Sequence, residues 1–168
     1  MDESQDPIAA LENIPIDNNS AEVKNYKITL NVKIPTMKKY LVMYEIKKEA
    51  FRKNMHQSLH TKAHAWVDPQ IQLTNEFIKK TEDVIKQCDE PTFNSSNVLD
   101  YLENLHAFRE EQKRINSLDI GTNPMGPMTT LQIECILLTN NLLRSLKIVD
   151  LPTEEELPAQ SDINNINK

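Results

Sequence analysis

Three histidines at steps of four, His56, His60 and His64, are the residues whose spacing most resembles a site. On a helix this spacing stacks imidazoles on one face a turn apart, and two such rings can take one zinc or copper ion. The residues between them are Gln57, Ser58, Leu59, Thr61, Lys62 and Ala63. None is a carboxylate or thiol that could complete a metal shell, and the Lys62 ammonium repels a cation. The row is therefore expected to be the shoulder of a packed helix, and no metal ligand is assigned. A small metal-binding helical protein using the His56/His60/His64 face stands as one alternative.

A nucleophile would have to be Cys88 or Cys135, with His106 as base. Both cysteines fall on apolar stripes, where burial keeps a thiol protonated and inert. Paired carboxylates occur at Glu110-Glu111 and at Glu154 to Glu156. Acid catalysis needs a desolvated carboxyl in a cleft, and these positions read as a solvated face and a loose tail. The chain holds two glycines, Gly121 and Gly126. That leaves no GxxxxGK[ST] and no GxGxxG, hence no backbone cradle for phosphate. No catalytic or cofactor-binding residue is assigned, and a non-enzyme is expected. A net charge of -6 lacks the basic face a nucleic-acid binder needs. Lys47, Lys48, Arg52 and Lys53 do cluster, but Glu45 and Glu49 interleave with them as on a solvated helix.

The elements that must position these residues are legible from periodicity. Residues 1–25 are rich in Asp, Glu, Asn and Ser and read as a disordered tail, as do residues 153–168. Between them, residues 26–152 form the ordered unit. Tyr26, Ile28, Leu30, Val32 and Ile34 alternate with polar residues, which predicts a strand over 26–34 that ends at Pro35 and needs a partner to pair with. From Thr36 as N-cap, the stripe Leu41, Tyr44, Phe51, Met55, Leu59, Ala63 and Trp66 predicts a long helix, stopped at Asp68-Pro69. A second helix carries Leu73, Phe77, Ile78, Val84, Ile85 and Cys88, and a turn near Pro91 follows. A third, capped by Ser95 or Ser96, carries Val98, Leu102, Leu105, Phe108 and Ile115, with Gln112 interrupting the face and Glu110 pairing with Arg114. After the loop 119–127, where Met125 and Met128 are the methionines whose exposure could matter, a fourth helix runs from about Met128. Its apolar residues, Leu131, Ile133, Cys135, Ile136, Leu138 and Leu142 among them, lie on more than one face. Short connections then predict an all-α, up-and-down bundle of about four helices, with one N-terminal strand. No apolar run approaches the ~20 residues that span a bilayer, and the first twenty residues resemble no leader.

From Trp66 onward the sequence resembles part of the N-terminal tail and linker region of dynein heavy chains, of the axonemal type. The likeness is carried by Trp66 closing a helix, Phe77-Ile78-Lys79 followed by Asp83, Asn97-Val98-Leu99 with Tyr101-Leu102, Arg109-Glu110 with Gln112, and a leucine-rich helix ending at Leu151-Pro152. The resemblance implies a non-catalytic helical segment acting in assembly or force transmission of a microtubule motor complex. Its partners would be other parts or subunits of that complex, with no nucleic acid and no membrane. It implies a cytoplasmic, cytoskeletal place, including the ciliary axoneme. An unrelated spectrin-like helical adaptor for protein–protein interaction is the other alternative.

Overall fold

The computed structural model describes residues 13–54, 60–117 and 127–148. They form four helices, α1 (Ala21–Asn54), α2 (His60–Gln87), α3 (Ser95–Asn116) and α4 (Pro127–Ser145), with no strand among them. Cross-helix pairs run in opposite senses along every neighbour. Lys27, Lys38 and Lys48 of α1 meet Asp89, Glu82 and Asp68 in that order. On α2 and α3, Gln70 is joined to Gln112 and Thr81 to Tyr101. On α1 and α4, Tyr26 meets Thr139 and Lys33 meets Glu134. The result is the expected up-and-down bundle, with α1 packed between α2 and α4.

The strand expected over residues 26–34 is helix instead: this stretch lies inside the 34-residue α1. The alternation that suggested a strand is two helical rows seen at once. Turning 100° per residue, Val23, Tyr26, Leu30, Ile34 and Met37 fall on one side, and all five are buried. Ile28 and Val32 fall on the other and stay exposed. A half-buried strand would have placed all five alternating residues on the same face. Pro35 does not end the element, nor does Thr36 begin it. Pro35 stands on the exposed side of the helix, where its missing N–H deprives only the carbonyl of Asn31. The N-cap is Ser20, whose Oγ accepts the Val23 N–H at 3.2 Å.

The second proline is likewise carried within a helix, since α2 runs through Pro69 and Asp68 is not its cap. The long helix expected from Thr36 to Trp66 is in fact the end of α1 and the start of α2. Its aromatic residues still come together, across the helix pair rather than along one helix. The Trp66 ring lies edge-on to Tyr44 at 6.0 Å and to Phe51 at 6.3 Å. Met55 and Leu59 lie outside the described residues. α3 and α4 fall where expected, although the cap of α3 is Asn94, which accepts from the Ser96 N–H at 2.9 Å. Met128 is fully buried, and Met125 with the glycine loop lies outside the described residues.

Residues 13–25, read from composition as part of a loose tail, are built into the fold. Ile14 donates to Ser95 Oγ at 3.0 Å and accepts from the Ser95 N–H at 2.8 Å. Ile16 is buried and donates to the Phe93 carbonyl at 3.1 Å. The strap thus closes over the α2–α3 turn. The remaining tail positions, 1–12 and 153–168, lie outside the described residues.

Candidate interaction surface

Buried hydrogen bonds join the helices across the interior. Gln112 Nε2 donates to Gln70 Oε1 at 2.9 Å and to Tyr44 Oη at 3.3 Å. Gln70 Nε2 donates to Asn116 Oδ1 at 2.9 Å, which Trp66 Nε1 also approaches at 3.4 Å. Gln112, the polar break in the α3 stripe, is thus a link between three helices. At the other end Tyr26 shares a hydrogen bond with Thr139, and Tyr101 shares one with Thr81. Burial pushes the Tyr44 hydroxyl up to about 12 and raises those of Tyr26 and Tyr101 as well.

Cys88 and Cys135 are buried and free. Burial raises each thiol to about 12, so both are protonated at neutral pH. Burial and the neighbouring Arg109 lower the pKa of His106 on α3, which favours its neutral form. Glu110 and Glu111 are engaged by basic neighbours; the expected partner, Arg114, pairs with Glu111 at 2.6 Å. Of the histidine row, His56 and the side chain of His60 lie outside the described residues. His64 Nδ1 stands 3.4 Å from Asp68 Oδ2, and Lys48 holds the other oxygen of that carboxylate at 2.9 Å. Among the described residues no group of three His, Cys, Asp or Glu side chains could hold a metal ion. No described helix is long and apolar enough to cross a membrane.

The feature that stands apart is the outer side of α1. Among the described residues, Ile28, Val32, Val42, Met43 and Ile46 are the large hydrophobic side chains left exposed, between 37% and 67%, and all five belong to this helix. Ile28, Val32, Pro35, Lys39, Val42 and Ile46 follow one another at alternating steps of four and three, the spacing of a coiled-coil seam. The helix that carries them is basic, with Lys24, Lys27, Lys33, Lys38, Lys39, Lys47, Lys48, Arg52 and Lys53 against Glu22, Glu45 and Glu49. Much of that charge is turned to the acidic body, where Lys27, Lys33, Lys38 and Lys48 pair with Asp89, Glu134, Glu82 and Asp68. Of the cluster Lys47, Lys48, Arg52 and Lys53, Lys48 reaches the body at Asp68, while Arg52 stays exposed and pairs with Glu49 of its own helix, as on a solvated face. The four paired lysines border the helix on the body side, and the row, with Lys39 in it, lies at the crest.

Sequence reasoning missed this row because it assigned half of it to a strand. The step of four from Ile28 to Val32, repeated from Val42 to Ile46, was the signal that could have found it. Comparison with family models, with curated proteins and with solved structures finds no match to this chain.

Proposed function

We propose that this chain is a non-catalytic helical interaction module whose contact surface is the outer row of α1. The observation that carries this reading is that the five large hydrophobic residues exposed among the described residues lie on one helix, four of them at seam spacing. Scattered surface hydrophobics need no explanation, whereas a contiguous row on a monomer marks a contact site. The interior supports the same reading, because its two thiols are held protonated and the amides of Gln70 and Gln112 join helices. The resemblance beyond Trp66 supplies a finer proposal, in which the partner is a part or subunit of a dynein-type motor complex and the bundle works as a rigid spacer.

A photo-crosslinking amino acid placed singly at Val32, Val42 and Glu103 of the chain in its native cell tests the contact surface. Adducts are expected from Val32 and Val42, and none from Glu103, which is exposed on α3. No adduct at either α1 position would remove the interaction reading.

A further inference from the structure

We propose that the outer row of α1 is self-complementary and joins two copies of this chain antiparallel, about a two-fold axis passing beside Met37. The inference rests on the interaction reading above and names the partner. About Met37 the row mirrors itself in position, and at its two outer pairs in identity: Ile28 mirrors Ile46 and Val32 mirrors Val42, while Pro35 stands opposite Lys39. A two-fold interface requires that residue i of one copy meet residue j of the other while j meets i. The antiparallel arrangement gives isoleucine on isoleucine at both ends, valine on valine inside them, and a lysine stem over a proline ring on either side of the axis. Lys39 decides the direction. A parallel pair would stack the two Lys39 ammoniums at the centre of the seam, whereas the antiparallel pair separates them and lets each run outward along an apolar neighbour.

The polar residues beside the row are ready for removal from water. Thr29 Oγ1 donates to the Asn25 carbonyl at 2.8 Å and Asn31 Nδ2 to the Lys27 carbonyl at 3.2 Å, so both already bond within their own helix. Met43, 37% exposed, lies next to the row and meets Thr29 of the second copy in this register. The five apolar side chains expose on the order of 500 Å², the scale of the largest patch on a typical monomer. Covering both copies removes about 1,000 Å² from these side chains alone, at the threshold of a specific interface. Flanking charges oppose the pairing mildly. Lys38 approaches its own mate and Lys24 approaches Arg52 of the second copy, but Lys38 is held by Glu82 at 3.8 Å and Arg52 by Glu49 at 3.5 Å. Such a pair tightens as salt screens the flanks, opposite to a contact made with an acidic partner.

Sedimentation of the purified full chain over a concentration series tests the proposal. The expected result is a reversible doubling of the 19.4 kDa mass that strengthens with salt. I46E, at a position 64% exposed, should leave the melting temperature of the monomer unchanged and weaken association by more than about tenfold. Direction is read by cross-linking. I28C alone and I46C alone should give no cross-linked dimer, while a mixture of the two should, since those positions meet only across an antiparallel seam. A chain that stays monomeric at every concentration, an I46E variant that associates as well as the parent, or cross-linking of I28C to itself would each overturn the proposal. If the purified chain is monomeric while Val32 captures a different protein in cells, the second-copy inference falls and the interaction reading stands. If neither occurs, both fall.

Discussion

Leu30 and Val32 sit two positions apart on α1, yet one is fully buried and the other 67% exposed. The inner row, from Val23 through Leu30 and Met37 to Tyr44, faces α2 and α4 and holds the bundle together. The outer row, from Ile28 to Ile46, stays exposed among the described residues. Aliphatic character does not separate them, for both carry valine and isoleucine, although the inner row adds Leu30, Met37 and two tyrosines and the outer row Pro35 and Lys39. Their phase around the helix decides which is buried. An apolar residue therefore reports that a surface is to be covered, and its angular position reports what covers it.

Alkaline titration is the most drastic way to sharpen this contrast, since the inner side alone touches groups whose protonation the fold enforces. The Cys88 and Cys135 thiols are raised by burial from 9.0 to about 12, and Tyr44 from 10.0 to about 12. The unfolded chain releases these protons first. Their stabilisation is complete below the unfolded values and is lost as pH rises through the folded ones. Unfolding followed by circular dichroism between about pH 9 and 12 should show stability collapsing across that window. In the same vein, Ellman's reagent near pH 8 should reach either thiol only through unfolding.

Truncation compares the rows directly. Leu30→Ala should cost about 2–5 kcal/mol in urea unfolding, as buried leucines do. Val32→Ala should stay within about 0.5 kcal/mol for the monomer, as exposed substitutions do. Equal costs would mean that the outer row is already covered in the isolated chain. Pro35→Ala should raise monomer stability by about 1–3 kcal/mol, because it restores a donor for the Asn31 carbonyl and removes nothing buried. Gln112→Ala should cost about 1–3 kcal/mol by leaving Gln70 Oε1 and the Tyr44 hydroxyl short of a donor. The smallest effect is expected at the half-exposed pair of Lys33 and Glu134, 2.9 Å apart, where Lys33→Ala should cost at most ~1 kcal/mol and less in high salt.

How legible these features were depended on whether local signals pointed the same way as packing. α3 and α4 were readable almost to the residue, because helical periodicity, the polar turn before Ser95 and the loop with both glycines between them all agree there. α1 was not. Its two rows superpose into a period of two, and Pro35 sits where a strand would end, so both local signals favoured the wrong element while long-range packing imposed the helix. Pro69 misled for a similar reason, since a helix stapled on both sides by neighbours tolerates one lost hydrogen bond. The inertness expected of the two cysteines followed from their places on apolar stripes. The outer row was hidden with the helix that bears it. The ordered strap at residues 13–20 was unreadable because its bonds run from backbone to a segment far along the chain.

That strap also sets an order of events. The bond from Ile14 to Ser95 spans 81 positions, and it cannot form until α1 and α2 have brought their ends to the same pole of the bundle. It covers the very turn on which the cap of α3 depends. A chain still emerging from synthesis carries α1 with its inner row bare until α2 follows, and is closed at this pole only once Ser95 has appeared.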